Sequence, residues 1–145
     1  MEVFTIGFTK KSAPEFFLTL KRHAITRVLD VRLNNQSQLA GFTKREDLAY
    51  FLREICRAQY QHERLLAPTQ EMLDAYKKAR GSWAEYERRF LDLMRERRVE
   101  ERLPREAVMG RTVLLCSEAT AEHCHRRLVV EYLNDTWGDI TPVHL

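Results

Sequence analysis

The sequence predicts an α/β fold in which a mostly parallel sheet of about five strands is flanked by helices, in a Rossmann-like arrangement. Short β-branched or apolar runs alternate with segments whose apolar residues recur at helical spacing. The run TVLLCS, at residues 112–117, is apolar almost throughout, as is typical of a strand buried on both faces of a parallel sheet. With 145 residues, 44% of them hydrophobic, the chain has the size and composition of one globular domain, which we place at residues 1–145.

The first half of the chain is predicted to contain two strands and two helices in alternation. VFTIGF, at residues 3–8, and RVLDVR, at residues 27–32, have the composition of strands. Capping boxes at residues 12–15 and 43–46 predict two helix starts, because a Ser or Thr hydroxyl and a Glu carboxylate three residues apart satisfy free backbone amides. The polar, glycine-containing residues 33–42 predict a loop before the second helix.

The second half of the chain continues this alternation of strands and helices. A third capping box begins at Ser82, and Thr120 is predicted to be the N-cap of the last helix. Residues 99–111 are charged and are predicted to be irregular. In chain order, the predicted elements are a strand at residues 60–66, a helix at 69–79, a helix at 82–98, a strand at 112–117, a helix at 120–137 and a strand at 139–145.

The overall composition restricts the classes of protein to consider. A net charge of +3 is compatible with an anionic partner, but it is small for a dedicated nucleic-acid-binding protein. Three cysteines, an odd number, do not fit a secreted disulfide framework, and the N-terminus does not resemble a signal peptide. We therefore expect a cytoplasmic protein with free thiols that does not associate with a membrane. The sequence predicts no particular oligomeric state.

Polar or ionisable residues follow nearly every predicted strand. In open parallel sheets, ligands bind beyond the carboxyl ends of the strands, where the following loops meet. We therefore expect these segments, which are distant in sequence, to converge on one edge of the sheet. They are residues 7–10, 30–35, 62–64, 116–118 and His144.

The segment CSEATAEHCHRR, which begins at Cys116, carries the densest set of reactive side chains. The amides at the start of the last helix favour anions such as a thiolate or a phosphate, and His125 and Arg126 add positive charge. Such surroundings lower the pKa of a thiol, so we expect Cys124 to titrate below the free-thiol value of about 8.5 and to react faster than Cys56. Cys116, at the end of a buried strand, should react more slowly than Cys124 for lack of access. We also expect phosphate or sulfate to bind near Arg126 and Thr120.

Two other interpretations of this segment remain open. Cys116, Cys124 and a histidine could supply three zinc ligands, but their spacing matches no standard zinc motif, and there is no second CxxC or HxxxH pair. On that ground we predict no metal site and no cofactor. The cysteines could instead pack in the core as small apolar residues, which is also our expectation for Cys56.

Asp30, Arg32 and Glu118 are the further charged residues at strand ends. Asp30 and Arg32 lie two apart on a strand and so point to the same face, where they either pair with each other or act on a ligand. In the second case Arg32 binds an oxyanion, and Asp30 orients a base or a hydroxyl. Glu118 is either a general acid or base, or a carboxylate that complements the dipole of the last helix.

The sequence resembles a bacterial and archaeal family numbered 488 among domains of unknown function. The resemblance rests on TIG at residues 5–7, LDVR at 29–32 and the C-x-E-x5-C-H-R pattern from Cys116 to Arg126. It implies a single α/β domain with a shared polar site, but it implies no reaction. The chain departs from the family in having Phe8 and Thr9 where many members have His-Ser, and in the polar residues 61–64.

These observations lead to two hypotheses about function. The first is a cytoplasmic enzyme that acts on a phosphorylated ligand, either a nucleotide or a nucleic-acid element. The second is a non-catalytic module that binds a ligand or a partner, with structural or redox-responsive cysteines. For the first hypothesis, the catalytic candidates are Cys124, Glu118 and Asp30, and the ligand-binding candidates are Arg32, His125, Arg126, Thr120 and Gly7.

Overall fold

The computed structural model of the chain describes residues 1–35 and 41–145, and the strands of this part form one parallel sheet. The strands are β1 (Glu2–Gly7), β2 (Arg27–Asp30), β3 (Gln59–His62), β4 (Thr112–Cys116) and β5 (Thr141–His144). Their spatial order is β3-β2-β4-β1-β5, and each neighbouring pair is parallel. The apolar strand β4 is central, with β2 and β1 on either side of it. The α/β fold and the parallel packing of these three strands are therefore confirmed.

Helices cover both faces of the sheet. They are α1 (Ala13–Arg22), α2 (Arg45–Phe51), α3 (Gln70–Leu73), α4 (Trp83–Glu96), α5 (Val99–Arg102) and α6 (His125–Trp137). Short π-helical turns, Leu52–Cys56 and Asp74–Lys78, extend α2 and α3. No helix in the described part of the chain is long and apolar enough to cross a bilayer.

The alternation of side chains along β4 divides the core into two layers. Successive strand residues point to opposite faces, so Val113 and Leu115 pack with α1 and α2, whereas Leu114 and Cys116 pack with α4 and α6. The chain leaves β2 toward the first layer and leaves β4 toward the second. A crevice forms at the carboxyl ends of neighbouring strands whose connections diverge in this way. The fold thus positions the ends of β2 and β4 for a site.

Three of the predicted helix starts are confirmed by capping hydrogen bonds. The hydroxyl oxygens of Ser12, Thr69 and Ser82 each accept a hydrogen bond from the backbone amide three residues later. The predicted cap at Thr43 is wrong, because α2 begins at Arg45 and Thr43 belongs to a 3₁₀ turn. The carbonyl of Thr43 accepts a hydrogen bond from a buried arginine, so a tertiary contact sets its position.

The predicted start of the last helix is also wrong. The helix begins at His125 rather than at Thr120, and its N-cap, Cys124, makes no capping hydrogen bond through its side chain. Residues 117–124 form turns, in which the amide of Cys124 donates to the carbonyl of Ala121. Thr120 is exposed in this loop. The helix therefore begins at a buried residue next to the end of β4, rather than at the exposed Thr120.

Smaller differences concern the connections. The strand predicted at residues 60–66 ends at His62 and is followed by a 3₁₀ turn, Arg64–Leu66. Residues 99–111 contain α5 and another 3₁₀ turn, Arg105–Ala107. Of the loop predicted at residues 33–42, residues 36–40 lie outside the described part of the chain.

Candidate functional site

A cavity of about 180 Å³ lies at the carboxyl ends of β2 and β4, beside the start of α6. Its wall combines aromatic, ionisable and sulfur-containing side chains. Ligand cavities commonly measure about 300–1,000 Å³, so this one has room for a ring-sized group rather than for a whole cofactor. The residues on which its chemistry depends are Phe8, Arg32, Tyr76, Lys77, Trp83, Tyr86, Cys116, Glu118, His123, Cys124 and His125.

A thiol and an imidazole meet in the wall of this cavity. The Sγ atom of Cys116 lies 3.6 Å from Nδ1 and 3.8 Å from Nε2 of His125. Nε2 is also 2.8 Å from the carbonyl oxygen of Val31, to which it donates when it carries a proton. That contact leaves Nδ1, 3.6 Å from the thiol sulfur, as the nitrogen with a free lone pair. Phe90 packs against the imidazole, with ring centroids 5.3 Å apart.

The two buried thiols, Cys116 and Cys124, form a coupled pair. The hydrogen bond from Cys124 lowers the pKa of Cys116; burial opposes this, while the Ser117 backbone and the charge of Arg126 support it. The same hydrogen bond, together with burial, raises the pKa of Cys124 well above its usual value. The expectation of a lowered pKa for Cys124 is therefore wrong. The directions of the two pKa shifts favour the thiolate of Cys116 over that of Cys124.

Arg126 supports the site from behind rather than lining it. Its side chain is only 1% exposed. Nε donates to the hydroxyl of Thr5 at 3.2 Å, and Nη1 donates to the carbonyl of Glu118 at 2.7 Å. Arg126 and the exposed Thr120 both lie outside the cavity wall as described, so the expectation that they contact a phosphate directly is not supported. Arg126 instead fastens the loop after β4 to β1.

Gly7 permits the same loop to pack against β1. A Cβ atom at position 7 would lie 1.6 Å from the carbonyl oxygen of Glu118 and 2.8 Å from Nη1 of Arg126. Only a residue without a side chain fits this contact. Gly7 thus has a packing role in the site, and direct contact between Gly7 and a ligand stays a prediction.

We expect the Gly7→Ala substitution to lower the free energy of unfolding by about 1–3 kcal/mol or more, because a methyl group cannot fit under a backbone carbonyl. Gly41→Ala is the matched control, since a Cβ atom there meets nothing within 4 Å. Urea unfolding followed by circular dichroism measures both variants. Equal stability of the two would show that the loop does not depend on Gly7.

Asp30 and Arg32 pair with each other at the end of β2. Nε and Nη2 of Arg32 donate to the two carboxylate oxygens of Asp30 at 2.9 and 2.8 Å, and the Arg32 amide and the Tyr60 hydroxyl also donate to this carboxylate. Asp30 is fully buried and outside the cavity wall as described. This placement fits a positioning role and gives no support to direct acid–base catalysis by Asp30.

Arg32 itself reaches the cavity. Its guanidinium lies over the ring of Phe8, 5.2 Å from the centroid, and Nη2 also donates to the carbonyl of Thr43 at 2.8 Å. Nη1 is buried and has no hydrogen-bond partner among residues 1–35 and 41–145. A buried donor without a partner costs about 1–3 kcal/mol, so this arginine retains the capacity to bind an acceptor.

Glu118 lies at the mouth of the cavity, where Lys77 donates to its Oε1 at 2.9 Å. Burial alone would lower the pKa of Lys77, but the contact with Glu118 outweighs it, and the net effect is a raised pKa. Both side chains are about half exposed, at 54% and 43%. Exposed ion pairs contribute about 0–1 kcal/mol, so a charged ligand can separate them at little cost.

Aromatic side chains form another part of the wall, and sequence reasoning missed them. Trp83 stacks on Tyr86 at 5.2 Å and on His123 at 5.0 Å, and Tyr76 packs edge-on against Trp83. In the sequence, Tyr76 and Tyr86 belong to the apolar stripes of their helices, a pattern that indicates core packing. The sequence feature that could have indicated this aromatic wall is Trp83, because the first residue of a helix can reach a site that lies beside the helix start.

The arginine-rich helix α4 has the solvated face that its mixed charges indicate. Arg88 pairs with Glu85 and Asp92, and Arg95 also pairs with Asp92. These exposed pairs neutralise the arginines locally, which leaves little net charge for binding a polyanion along this face.

The cluster at the base of the cavity includes donors for a metal ion. One donor atom from each of Cys116, Cys124 and His125 lies within 4.8 Å of the others, and all three residues are buried. The sequence prediction of no metal site rested on spacing along the chain. Because the fold brings these donors together, their spacing along the chain does not decide whether they bind a metal ion.

Comparison with known proteins assigns a family but no activity. No curated protein and no solved structure matches the chain. The family model described as "Domain of unknown function DUF488" matches residues 12–133, which include most of the sheet, the cysteine–histidine cluster and most of α6. The chain therefore belongs to the DUF488 family.

Proposed function

We propose that this protein is an enzyme that binds an anionic, ring-bearing small molecule, of which a nucleotide is the best-fitting class, and transforms it at Cys116. The observation that carries the proposal is the contact of Cys116 Sγ with His125, whose Nε2 is held by the Val31 carbonyl. A nucleophile, a base and a group that orients the base form the arrangement used in nucleophilic catalysis. Here that arrangement opens into a cavity.

The residues that line the cavity favour a ligand that contains both a ring and an anionic group. His123 is exposed and lies nearly parallel to Trp83, with 24° between their planes, so an imidazole already occupies a stacking position that a ligand ring can take. Among the described residues, Nη1 of Arg32 has no hydrogen-bond partner, and Lys77 pairs with the half-exposed carboxylate of Glu118. These two cations are the groups that would receive a phosphate.

The reaction that this arrangement supports is a covalent displacement. His125 Nδ1 takes the proton of Cys116, and the thiolate attacks an electrophilic carbon or phosphorus of the ligand. The bond to the leaving group breaks, and His125 returns the proton to that group. Water then cleaves the bond to sulfur and restores the thiol. Cys124 would assist by donating to the thiolate, and so take a different role from the nucleophile expected from the sequence.

The two tryptophans, Trp83 and Trp137, allow ligand binding to be measured directly. In the Trp137→Phe variant, the only tryptophan is Trp83 in the cavity wall. We expect adenosine monophosphate to change its fluorescence at lower concentrations than adenosine or inorganic phosphate alone. Removing a stacking partner costs about 1–3 kcal/mol, so Trp83→Ala should weaken binding roughly fivefold to 150-fold by calorimetry.

The Trp83→Phe variant, which keeps only Trp137, is the matched control and should show no fluorescence change. Products are sought by mass spectrometry after incubation with a panel of nucleotides, with Cys116→Ser as the inactive control. If no nucleotide, nucleoside or phosphate alters Trp83 at millimolar concentration, the proposed ligand class is wrong.

The second candidate function is a non-catalytic ligand-binding module with redox-responsive thiols. The proximity of the two buried thiols favours it: the sulfurs of Cys116 and Cys124 lie within 4.8 Å of each other, and neighbouring thiols can be oxidised to a disulfide. Binding of a nucleotide without any product, and with equal affinity in Cys116→Ser, would select this function over the enzyme.

A further inference from the structure

We infer that Cys116, Cys124 and His125 form a binding site for one zinc ion, whose fourth coordination position opens into the cavity. This inference does not depend on the proposed function, because it rests on the positions of three donor atoms rather than on a ligand or a reaction. It also reverses the sequence prediction, which had only the spacing along the chain to use.

The separations between the donors fit a tetrahedral zinc site. Zinc binds thiolate sulfur at about 2.3 Å and imidazole nitrogen at about 2.0–2.1 Å, which places a sulfur and a nitrogen about 3.5 Å apart at the tetrahedral angle. Sγ of Cys116 lies 3.6 Å from Nδ1 of His125. Two thiolates on the same ion lie about 3.8 Å apart, and the whole cluster falls within 4.8 Å. Closure around the ion needs movements of about 1 Å.

The imidazole is already oriented as a metal ligand. Histidines that bind metals commonly donate their second ring nitrogen to a backbone carbonyl or a carboxylate, which fixes the tautomer. Nε2 of His125 is 2.8 Å from the carbonyl of Val31, so Nδ1, which lies 3.6 Å from the sulfur of Cys116, is the nitrogen left free to bind a metal. Phe90 holds the plane of this ring. The second shell of the site is therefore present in the fold.

The backbone explains how adjacent residues reach one point. Cys124 is extended, with φ −136° and ψ 137°, and His125 begins the helix. The chain thus changes direction between them, and both side chains meet Cys116 at the end of β4. In a regular helix or strand, two adjacent side chains point away from each other, which is why standard zinc motifs separate their ligands.

Charge balance favours this ion. Zinc replaces the thiol protons of Cys116 and Cys124, and the two thiolates neutralise its charge. Arg126 is buried nearby, and its hydrogen bonds within the described part of the chain go to a hydroxyl and a carbonyl rather than to a carboxylate, so its charge stabilises thiolates over thiols. The positive charge of Arg126 repels the zinc ion only weakly, because the ion and its two thiolates together are neutral. Glu118 is at the cavity mouth, and no fourth Cys, His or carboxylate donor joins the cluster among the described residues.

Metal binding and nucleophilic attack by Cys116 exclude each other. The sulfur that coordinates zinc cannot at the same time bond to an electrophile, so the metal-bound protein would have its thiols protected. Water or a ligand oxygen would take the fourth position. The metal-bound protein would therefore lack the free thiol at which the proposed reaction takes place.

The test is reconstitution of the full chain, purified without a metal-affinity tag and under reducing conditions, then treated with a chelator. We expect one equivalent of zinc to bind, as measured by elemental analysis after dialysis and by competition with a coloured chelator. Cobalt substitution provides an independent signature, since tetrahedral thiolate-bound cobalt gives intense visible bands and a near-ultraviolet charge-transfer band. This spectrum is recorded on the wild-type protein, so it does not depend on how any variant folds.

Cys116→Ser, Cys124→Ser and His125→Gln should each lower zinc affinity at least tenfold, and Cys56→Ser, which alters the cysteine outside the cluster, should not. Folding of each variant is checked by circular dichroism. Zinc should also protect Cys116 and Cys124, but not Cys56, from alkylation. A zinc content below about a tenth per chain, with a cobalt spectrum lacking thiolate bands, would overturn the inference. Nucleotide binding by the chelator-treated protein separates this failure from failure of the proposed function.

Discussion

Replacement of Asp30 by alanine is expected to lower the free energy of unfolding by about 3–5 kcal/mol, the largest loss of stability that we anticipate near the site. Asp30 is fully buried and receives hydrogen bonds from Arg32 and from the hydroxyl of Tyr60. Removing its carboxylate leaves the Arg32 charge buried without its counterion. Burial alone would lower the pKa of Arg32, and the contact with Asp30 reverses this and raises it.

A double-mutant cycle separates the ion pair from its surroundings. Arg32→Met removes the charge but keeps an unbranched side chain, so the Asp30→Ala/Arg32→Met variant should lose less stability than the sum of the single variants. Tyr60→Phe, which removes one hydrogen bond to Asp30, should cost only about 1 kcal/mol. Urea unfolding at constant pH measures all four variants.

The result also decides between two roles for Asp30. A loss of less than about 1 kcal/mol in Asp30→Ala would contradict the structural role and return Asp30 to the candidates for acid–base catalysis. A large loss, recovered in part by Arg32→Met, would place the carboxylate in the framework that positions Arg32 against the cavity. Asp30→Asn tests the charge separately, because its amide keeps the shape but donates where the carboxylate accepts.

The sheet was predictable because its signals are local and mutually consistent. β4 is apolar at every position from Val113 to Leu115, and only a central strand of a parallel sheet buries both of its faces. Ser12 and Ser82 cap their helices as the capping-box pattern predicts, since a hydroxyl three residues before a free amide needs no tertiary help.

The start of α6 was not predictable from local signals. Thr120 has the chemistry of an N-cap, but residues 117–124 cross the end of β1, where the Glu118 carbonyl sits on Gly7 and accepts a hydrogen bond from Arg126. The contact between Gly7 and Glu118 joins residues more than a hundred positions apart. The effect of these contacts is to bury Arg126 and to bring Cys124 and His125 onto Cys116, which neither helix propensity nor spacing can indicate.

The sequence therefore indicated which segments form the candidate site, but not which role each residue has in it. The cysteine–histidine segment, Arg32 and Glu118 do reach the cavity, as expected from the convergence of strand ends. Arg126 and Asp30 looked equally suitable by residue type, but both are buried behind the wall. Burial depth depends on packing between layers, and a single sequence does not specify it.

Cys116 is expected to be the most reactive thiol of the chelator-treated protein, with an alkylation rate that rises at lower pH than the rates of Cys56 and Cys124. The hydrogen bond from Cys124 lowers the pKa of Cys116, whereas burial raises the pKa of Cys56 and the contact with Cys116 raises that of Cys124. At a pH below the pKa values of both thiols, each pKa unit of difference gives the more acidic thiol about tenfold more thiolate. The more acidic thiolate is also the weaker nucleophile, so its alkylation rate is higher by only about threefold per unit.

The sign of the pH dependence follows from which form is stabilised. The folded protein favours the thiolate of Cys116, so its rate should reach half its maximum below the free-thiol pKa of about 8.5 and stay high above it. Cys124→Ala removes the donor and should move this midpoint to higher pH. Mass spectrometry of peptides after timed alkylation measures each cysteine separately.

Two alkylating agents of similar size connect this reactivity to the cavity. Iodoacetate is an anion, whereas iodoacetamide is neutral. The cations Arg32 and Lys77 should therefore raise the iodoacetate-to-iodoacetamide rate ratio at Cys116. The same ratio at Cys56, which lies away from the cavity, is the reference and should be lower. The difference should shrink in high salt and in Lys77→Gln. If Cys116 stays unreactive across neutral pH in a folded, metal-free protein while Cys124 reacts, then the direction of the thiol hydrogen bond is the reverse of the one described. The catalytic thiol would then be Cys124, as the sequence alone predicted.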